Sequence, residues 1–471
     1  MRPPPWYNGS KSAQDRRKGR NGMQRTTDMT VGSPVKLLLT FSLPLILTNL
    51  GQQLYMIVDG AIVGRGVGVN ALAAVGATDW IYWMILWAVL GLTQGFATFV
   101  ARHYGENDYE AVNRTIATSA ILCAVISLVL TAAGILSAEP LLLLLDTPEE
   151  ILPDAKIYLI TMIAGTLVVG AYNMAASILR AFGDGRSPLV GMAIAGCLNV
   201  GLDLLFVMVL HLGVFGAAFA SVLSQGVAFV YCLIRILRVD CVHLTAAHFR
   251  PERKRIGELL LFGLPLAFQN VVIALGGIIV QSSINAEGSI FLAGYTATNK
   301  LYGLLESSAI SLGIAASTFL SQNYGAGLYR RVRDGVKKCT GIVLIMAVAV
   351  AAIIRLAGHY LLQLFLDVDK AGGAEALVIS EHYLGILAWC LCILYLLHVY
   401  RNGLQAIGVS VWSMLSGFAE FAARVCMAKF GFGLFGTDAL LLAEPAAWLA
   451  ALLFVMIPYF FYQKSRLPLQ S

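Results

Sequence analysis

The chain has 471 residues, of which 58% are hydrophobic and 13% charged, and a net charge of +6. Soluble domains carry roughly 25% charged residues, so this composition excludes a soluble protein and indicates a polytopic membrane protein. No zinc-protease motif, phosphate-binding loop or Ser/His/Asp arrangement is found in the apolar segments of the sequence. We therefore expect a protein that is not an enzyme and has no cofactor.

The N-terminal residues 1–34 are polar and basic, which predicts a disordered cytoplasmic tail rather than a cleavable signal. After it come about twelve apolar stretches of the roughly 20 residues that a spanning helix needs. They cover residues 36–62, 75–100, 115–136, 152–178, 188–210, 214–237, 257–283, 290–320, 336–356, 376–400, 408–430 and 434–460. Their length excludes barrel strands, so the fold is expected to be all-α.

The chain repeats itself across its two halves. Pro44 returns as Pro265, a shift of 265 − 44 = 221, and Tyr104 returns as Tyr324, a shift of 324 − 104 = 220. Six helices separate equivalent points, so the two halves cross the membrane in the same direction. This pattern predicts a two-lobe transporter with a site between the lobes. The predicted units are an N-lobe (35–238), a cytoplasmic linker (239–256), a C-lobe (257–463) and a cytoplasmic C-terminal tail (464–471).

Charge predicts the orientation. The tail and every second loop are basic, whereas the intervening loops are acidic. By the positive-inside rule both termini are cytoplasmic, and we expect a multi-pass protein of the plasma membrane, which in bacteria is the inner membrane. The acidic residues of the opposite loops are Glu139, Asp146, Glu149, Glu150, Asp154, Asp367, Asp369 and Glu375.

Polar side chains recur on three helices of the first half. Asp59 shares a helical face with Thr48, Gln52 and Tyr55, while Asn199 and Asp203 lie one turn apart, as do Ser221 and Gln225. These groups could converge into an oxygen-rich site for a hard cation, and the two carboxylates could equally hold a proton. Alternatively, the two aspartates lie at wet helix ends and only cap or solvate them.

The second half does not reproduce this set. Asn299 and Glu306 share a face and either line a cavity or are structural. Glu420 and Arg424, one turn apart, are interpreted as an internal ion pair with a structural role. Because the halves have diverged, we expect ion handling in one of them.

The first two predicted helices carry two further features, a tryptophan repeat and a proline. Trp80, Trp83 and Trp87 recur at helical spacing, which favours an interfacial aromatic belt over an aromatic wall that binds flat cations. Pro44 interrupts the first helix and permits a kink, which makes it a candidate hinge.

The chain resembles the multidrug and toxic compound extrusion (MATE) transporters from about residue 33 to residue 462. The resemblance rests on several motifs together, none of which is specific alone. They are 52–59 (QQLYMIVD), 71–76 (ALAAVG), 180–188 (RAFGDGRSP), 198–203 (LNVGLD), 213–218 (GVFGAA), 322–326 (QNYGA) and 401–408 (RNGLQAIG).

The resemblance implies two six-helix lobes in a V around a central cavity. It also implies export of small organic, often cationic compounds in exchange for Na+ or H+. In the branch with an N-lobe cation site, the motifs assign that site to Asp59, Asn199, Asp203 and Ser221, of which the first three would ligate the metal if Na+ is the coupling ion. The residues expected to line the substrate cavity are Gln52, Tyr55, Asn173, Ser177, Asn299 and Glu306. We expect a monomer in the lipid bilayer without a nucleic-acid partner.

The alternative function is a flippase for a lipid-linked sugar or another amphipathic lipid. A flippase would need a basic cavity for a pyrophosphate, but the predicted helix interiors offer few bases, namely Lys300, Arg355 and Arg424. This scarcity favours an exporter of neutral or cationic compounds.

Overall fold

The computed structural model describes residues 26–145, 147–250, 252–366 and 372–467. Within these ranges the chain forms helices joined by turns and contains no strand. Lipid offers no partner to backbone N–H and C=O groups, and helices satisfy those groups internally. Residues 1–25 of the predicted disordered tail, and the acidic loop residues Asp146, Asp367 and Asp369, lie outside the described residues.

The helices of the first half are α1 (Pro34–Gly66), α2 (Val69–Glu106), α3 (Tyr109–Leu144), α4 (Leu152–Ala164), α5 (Thr166–Ala181), α6 (Arg186–Asp203), a π-helix (Leu204–Val209) and α7 (Gly213–Leu237). The helices of the second half are α8 (Arg253–Ala286), α9 (Ser289–Gly325), α10 (Tyr329–Gln363), α11 (Gly373–Ala406), α12 (Val411–Phe430), α13 (Phe432–Phe435), α14 (Asp438–Leu441) and α15 (Ala443–Arg466).

The predicted spans correspond to these helices with three differences. Ten of the described helices are long and apolar enough to cross a membrane, and α4 with α5, bent by 44° at Gly165, makes an eleventh. The remaining predicted span is α12, whose Glu420 and Arg424 lower its hydropathy. The prediction of one helix over 434–460 is wrong in its first part, because the helix is interrupted at Gly436, whose φ is positive (58°), and the long helix α15 begins only at residue 443.

The helices form two lobes with matching internal packing. In the first lobe, α2 packs on α3 and α5, and α6 packs between α1 and α7. In the second, α9 packs on α10 and α11, and α12 packs between α8 and α15. Because the repeat makes α8 the counterpart of α1 and α9 the counterpart of α2, the two lobes have the same architecture.

The lobes meet along small residues. α2 packs against α8 and α9, and α1 packs against α9. A Cβ atom on Gly91 would lie 2.7 Å from the backbone of Ala267, and one on Gly95 would lie 2.9 Å from Gly263. The close contact at Gly91 and Gly95 is therefore a contact between the lobes, where small residues let helix backbones approach.

The tightest contact between the lobes lies at the end of the bundle that carries the basic loops, which we call the basic end. A Cβ atom on Gly105 would lie 2.0 Å from the carbonyl oxygen of Gln322, and one on Gly325 would lie 2.1 Å from that of Arg102. Arg102 also donates hydrogen bonds to the carbonyl oxygens of Gln405 and Ala406, at 2.9 Å each. Since Gly105 and Gly325 are repeat equivalents, the contact is reciprocal.

The described part of the predicted tail, residues 26–33, packs at the basic end. Met29 is fully buried; its N–H donates to Gln322 (2.9 Å), and its carbonyl accepts from Asn323 (3.0 Å). The Thr27 N–H donates to the carbonyl oxygen of Phe182 in the first lobe, at 3.2 Å. This segment therefore contacts both lobes.

Candidate functional site

Three helices of the first lobe bring four polar side chains together. Asp59 lies on α1, Asn199 and Asp203 on α6, and Ser221 on α7, and α6 packs against both of the other helices. Asp203 is 0% and Asn199 1% exposed, whereas Asp59 is half-buried. The Asn199 amide donates a hydrogen bond to the Ser221 hydroxyl at 3.2 Å. The residues that the resemblance assigned to one cation site are thus close together.

The oxygens of this cluster lack hydrogen-bond donors. Among the described residues, nothing donates to Oδ1 of Asp59, to Oδ1 of Asn199, or to either carboxylate oxygen of Asp203. The carboxyl groups of Asp59 and Asp203 are also close enough to share a hydrogen bond if one of them carries a proton. Buried acceptors without donors are costly, so the cluster is suited to a positive charge or a proton.

The local backbone at Asp203 is irregular. Asp203 is the last residue of α6, and the π-helix Leu204–Val209 follows directly. The Leu210 N–H bonds the Leu205 carbonyl, five residues earlier, at 2.8 Å. Single π-turns inside helices are rare and occur often at functional sites. Because the π-helix winds differently from α6, the residues after Asp203 face a different direction than they would in a continuous α-helix.

The oxygen ligands of this cluster suit a hard monovalent cation or a proton. Two carboxylates, an amide oxygen and a hydroxyl are oxygen ligands of the type that alkali and alkaline-earth ions prefer. No group of three or more His, Cys, Asp or Glu side chains that could hold a metal ion occurs in the described part of the chain. The cluster is therefore an oxygen site with few charges, and it lacks the features of a transition-metal site.

A small cavity adjoins the cluster. It is lined by Tyr55, Ala195, Asn199, Ser221 and Gln225, among others. Tyr55 belongs to the polar face of α1 that the sequence assigned to the substrate cavity. Tyr55 of that face therefore lines the same cavity as Asn199 and Ser221 of the cluster.

Asp79 on α2 was missed by the sequence analysis. It interacts electrostatically with Asp59 in its own lobe and with Lys300 on α9 of the other lobe, and both Asp79 and Lys300 are exposed. The only signal in the sequence was an isolated acid inside an apolar helix, which is a functional candidate by default. Its position makes it a third carboxylate beside the cluster.

The other predicted cavity residues occupy different environments. Ser177 is buried and accepts a hydrogen bond from Arg180 at 2.8 Å, so its hydroxyl is held inside the lobe. Asn173 donates to the Val169 carbonyl at 2.9 Å within its own helix. The remaining cavity predictions, Gln52, Asn299 and Glu306, are all half-buried.

The tryptophan stripe lies beside the second lobe. A Cβ atom on Gly277 of α8 would lie 3.7 Å from the Trp80 ring, and the Trp87 carbonyl accepts a hydrogen bond from Asn270 of α8 at 3.0 Å. Trp83 and Trp87 stack edge to face, with centroids 6.4 Å apart. The stripe therefore borders the lobe boundary, and the interfacial belt stays a prediction.

The second lobe contains a buried charge network instead of an open carboxylate cluster. Glu420 bonds Arg401 and lies 3.4 Å from Arg424, while Arg424 bonds both oxygens of Glu444, at 2.9 and 2.7 Å. The predicted pair Glu420–Arg424 is thus part of a four-residue network. All four side chains are at most 12% exposed.

Pro44 lies inside α1, which continues through it from residue 34 to residue 66. The Thr48 hydroxyl donates to the Pro44 carbonyl at 2.8 Å. A proline removes one backbone hydrogen bond from a helix, so this turn has fewer backbone bonds than its neighbours.

Comparison with known proteins agrees on one family. The MatE family model matches residues 44–205 and 265–427, one segment in each half. The probable multidrug resistance protein YpnP of Bacillus subtilis is 30% identical over 77% of this chain and 80% of its own length. The multidrug export protein MepA of Staphylococcus aureus is 22% identical over 90% of this chain and 94% of its own.

Solved structures show the same fold. The outward-facing conformation of a multidrug resistance MATE family transporter of the MOP superfamily superposes with a TM-score of 0.85. It is 22% identical, and the match covers 94% of this chain and 99% of that one. MATE in the bent conformation gives a TM-score of 0.84 at 22% identity, with 94% of this chain and 98% of that chain covered.

Proposed function

The chain belongs to the MatE family of multidrug transporters, and we propose that it is an antiporter that exports organic cations or neutral amphipathic compounds in exchange for H+ or Na+. The exchanged cation binds between Asp59, Asn199, Asp203 and Ser221 in the first lobe. The protein acts as a monomer in the plasma membrane with both termini in the cytoplasm, so that the basic end faces the cytoplasm.

One observation carries this proposal: four buried acceptor oxygens in the cluster have no donor among the described residues. A structural pair of aspartates would be expected to have capping N–H groups or a basic partner. Here the missing partner is a cation that can enter and leave. Ion coupling provides such a cation in every transport cycle.

The charge balance of the second lobe disfavours the flippase alternative. A pyrophosphate would need a basic group without a carboxylate partner. Arg424 is bound through both of its terminal nitrogens and Nε to Glu420 and Glu444, so its charge is already neutralised. The interior therefore suits a neutral or cationic substrate.

The coupling mechanism follows from the position of the cluster. With no cation bound, Asp59 and Asp203 repel each other; a bound cation removes that repulsion and lets α1 approach α6. Pro44 gives α1 a turn at which it can bend. Because α1 also carries Gln52 and Tyr55 toward the cavity, its movement changes the substrate site. Cation and substrate then weaken each other's binding by the same factor, as linkage requires.

The test is transport of a fluorescent organic cation by purified protein in vesicles, with Na+ and H+ gradients imposed separately. Asp59→Asn keeps the size of the side chain and removes its charge, so it should abolish gradient-driven transport while the protein stays folded. The matched control is Glu258→Gln, which neutralises an exposed acid on α8 and should transport like the wild type. Gradient-driven transport at the wild-type rate by Asp59→Asn would refute the assignment.

A further inference from the structure

The charge network of the second lobe lies where the repeat places the counterpart of the cavity beside the candidate cation site of the first. The repeat register can be read from two loops. Gly183 and Gly408 both adopt positive φ (74° and 88°), and each precedes a helix by three residues, α6 at residue 186 and α12 at residue 411. The shift in this part of the repeat is therefore 408 − 183 = 225.

This register pairs the network with the N-lobe cavity. Arg424 corresponds to Asn199, since 424 − 225 = 199, and Glu420 corresponds to Ala195, since 420 − 225 = 195. Both Asn199 and Ala195 line the small cavity beside the carboxylate cluster. The Arg424 side chain therefore extends from the backbone position that, in the first lobe, carries the amide ligand Asn199.

A third correspondence comes from α1 and α8. The two helices are related by the shift of 221 that joins Pro44 to Pro265, which pairs Tyr55 with Gly276. A Cβ atom on Gly276 would lie 3.2 Å from Cδ of Arg424. The glycine provides the space in which the arginine side chain lies, whereas Tyr55 lines the cavity at this point of the first lobe.

We infer that the second lobe contains the counterpart of the N-lobe cation site and that Arg424 fills it as a tethered cation. The carboxylates of Glu420 and Glu444 act as its ligands, reaching it from α12 and from α15, the counterpart of α7. The consequence for transport, which rests on the proposed function, is that the N-lobe site alone exchanges its cation and the C-lobe counterpart stays filled throughout the cycle.

This inference predicts that removing the tethered cation creates a vacant cation site. Arg424→Ala leaves Glu444 without its bidentate partner and opens a space shaped for a guanidinium group. Methylguanidinium at millimolar concentration should therefore raise the melting temperature of purified Arg424→Ala by several degrees. It should leave the melting of the wild type unchanged, and likewise that of Arg355→Ala, which removes an exposed arginine on α10.

A second pair of variants keeps the test decisive if Arg424→Ala does not fold. Lysine and methionine have similar length, and only lysine is a cation. Arg424→Lys should therefore melt well above Arg424→Met, and the yield of Arg424→Met should rise when methylguanidinium is present during extraction. Equal melting of these two variants, or no response of Arg424→Ala to methylguanidinium, would overturn the tethered-cation assignment.

The outcomes also separate this inference from the proposed function. The melting measurements require no transport, so their failure would leave the N-lobe proposal standing. Conversely, normal coupled transport by Asp59→Asn would overturn the N-lobe proposal and leave the result at Arg424 unchanged.

Discussion

Gly105→Ala should shift the protein away from the state in which the lobes touch at the basic end. The added Cβ would lie 2.0 Å from the Gln322 carbonyl oxygen, whereas real Cβ contacts of less than 3.0 Å are essentially absent. The two backbones must therefore separate by about 1 Å, and no side-chain rotation can relieve the overlap. Overpacking of this kind costs about 1–3 kcal/mol, which corresponds to a shift of roughly 5- to 150-fold between two states.

The measurement is the distance distribution between spin labels at the exposed positions Arg186 and Arg330, one in each lobe at the basic end, in a background without native cysteines. Gly105→Ala should lengthen this distance and slow transport. Gly325→Ala should do the same, because its Cβ would lie 2.1 Å from the Arg102 carbonyl oxygen. The control is Gly76→Ala on the same helix, where a Cβ meets nothing within 4 Å. An unchanged distance in Gly105→Ala, or the same lengthening in Gly76→Ala, would refute the reasoning.

Three further predictions concern single side chains. Asp203→Asn should abolish ion-coupled transport yet melt at or above the wild-type temperature, because one of two neighbouring carboxylates loses its charge; a large loss of stability would argue for a structural role. Glu420→Gln should destabilise the protein by on the order of 3–5 kcal/mol, since it leaves buried arginine charge unpaired, and wild-type melting with lost transport would contradict this. Asn113→Ala removes the bonds from α3 to the carbonyl of Cys241 (2.9 Å) and the N–H of His243 (2.8 Å); limited proteolysis should then cut the linker faster than in the wild type.

The sequence was sufficient to predict the architecture, because apolar length and the repeat are properties of whole segments. The repeat, with its shift of 221 residues, predicts two lobes with matching helices. The charges of the loops predict how the protein is oriented in the membrane. Helix ends were less predictable. The break at Gly165 and the one at Gly436 interrupt stretches that remain apolar, so hydropathy alone cannot distinguish them from continuous spans.

The candidate site was only partly predictable from pattern. The polar face of α1 and the Asn199/Asp203 pair are visible as helical spacings, but the convergence of three helices is a tertiary property. Asp79 shares no helical face with other polar residues, so nothing in its own helix indicates its position beside Asp59. Arg401 lies near the end of α11, and only the packed structure shows that Glu420 is its partner.

The two lobes combine a symmetric contact with an asymmetric interior, and under the proposed function this combination confines ion exchange to one lobe. Gly105 and Gly325 make the reciprocal backbone contacts that join the lobes at the basic end. If both lobes held equivalent open cation sites, a cation would bind in either lobe and move the helices of both. The response would then not be confined to the movement of α1 against α6. Filling one site with Arg424 restricts the response to the first lobe, where α1 carries both the carboxylate Asp59 and the cavity face. In the proposed mechanism, the divergence of the repeat thereby places ion binding and substrate release on the same helix.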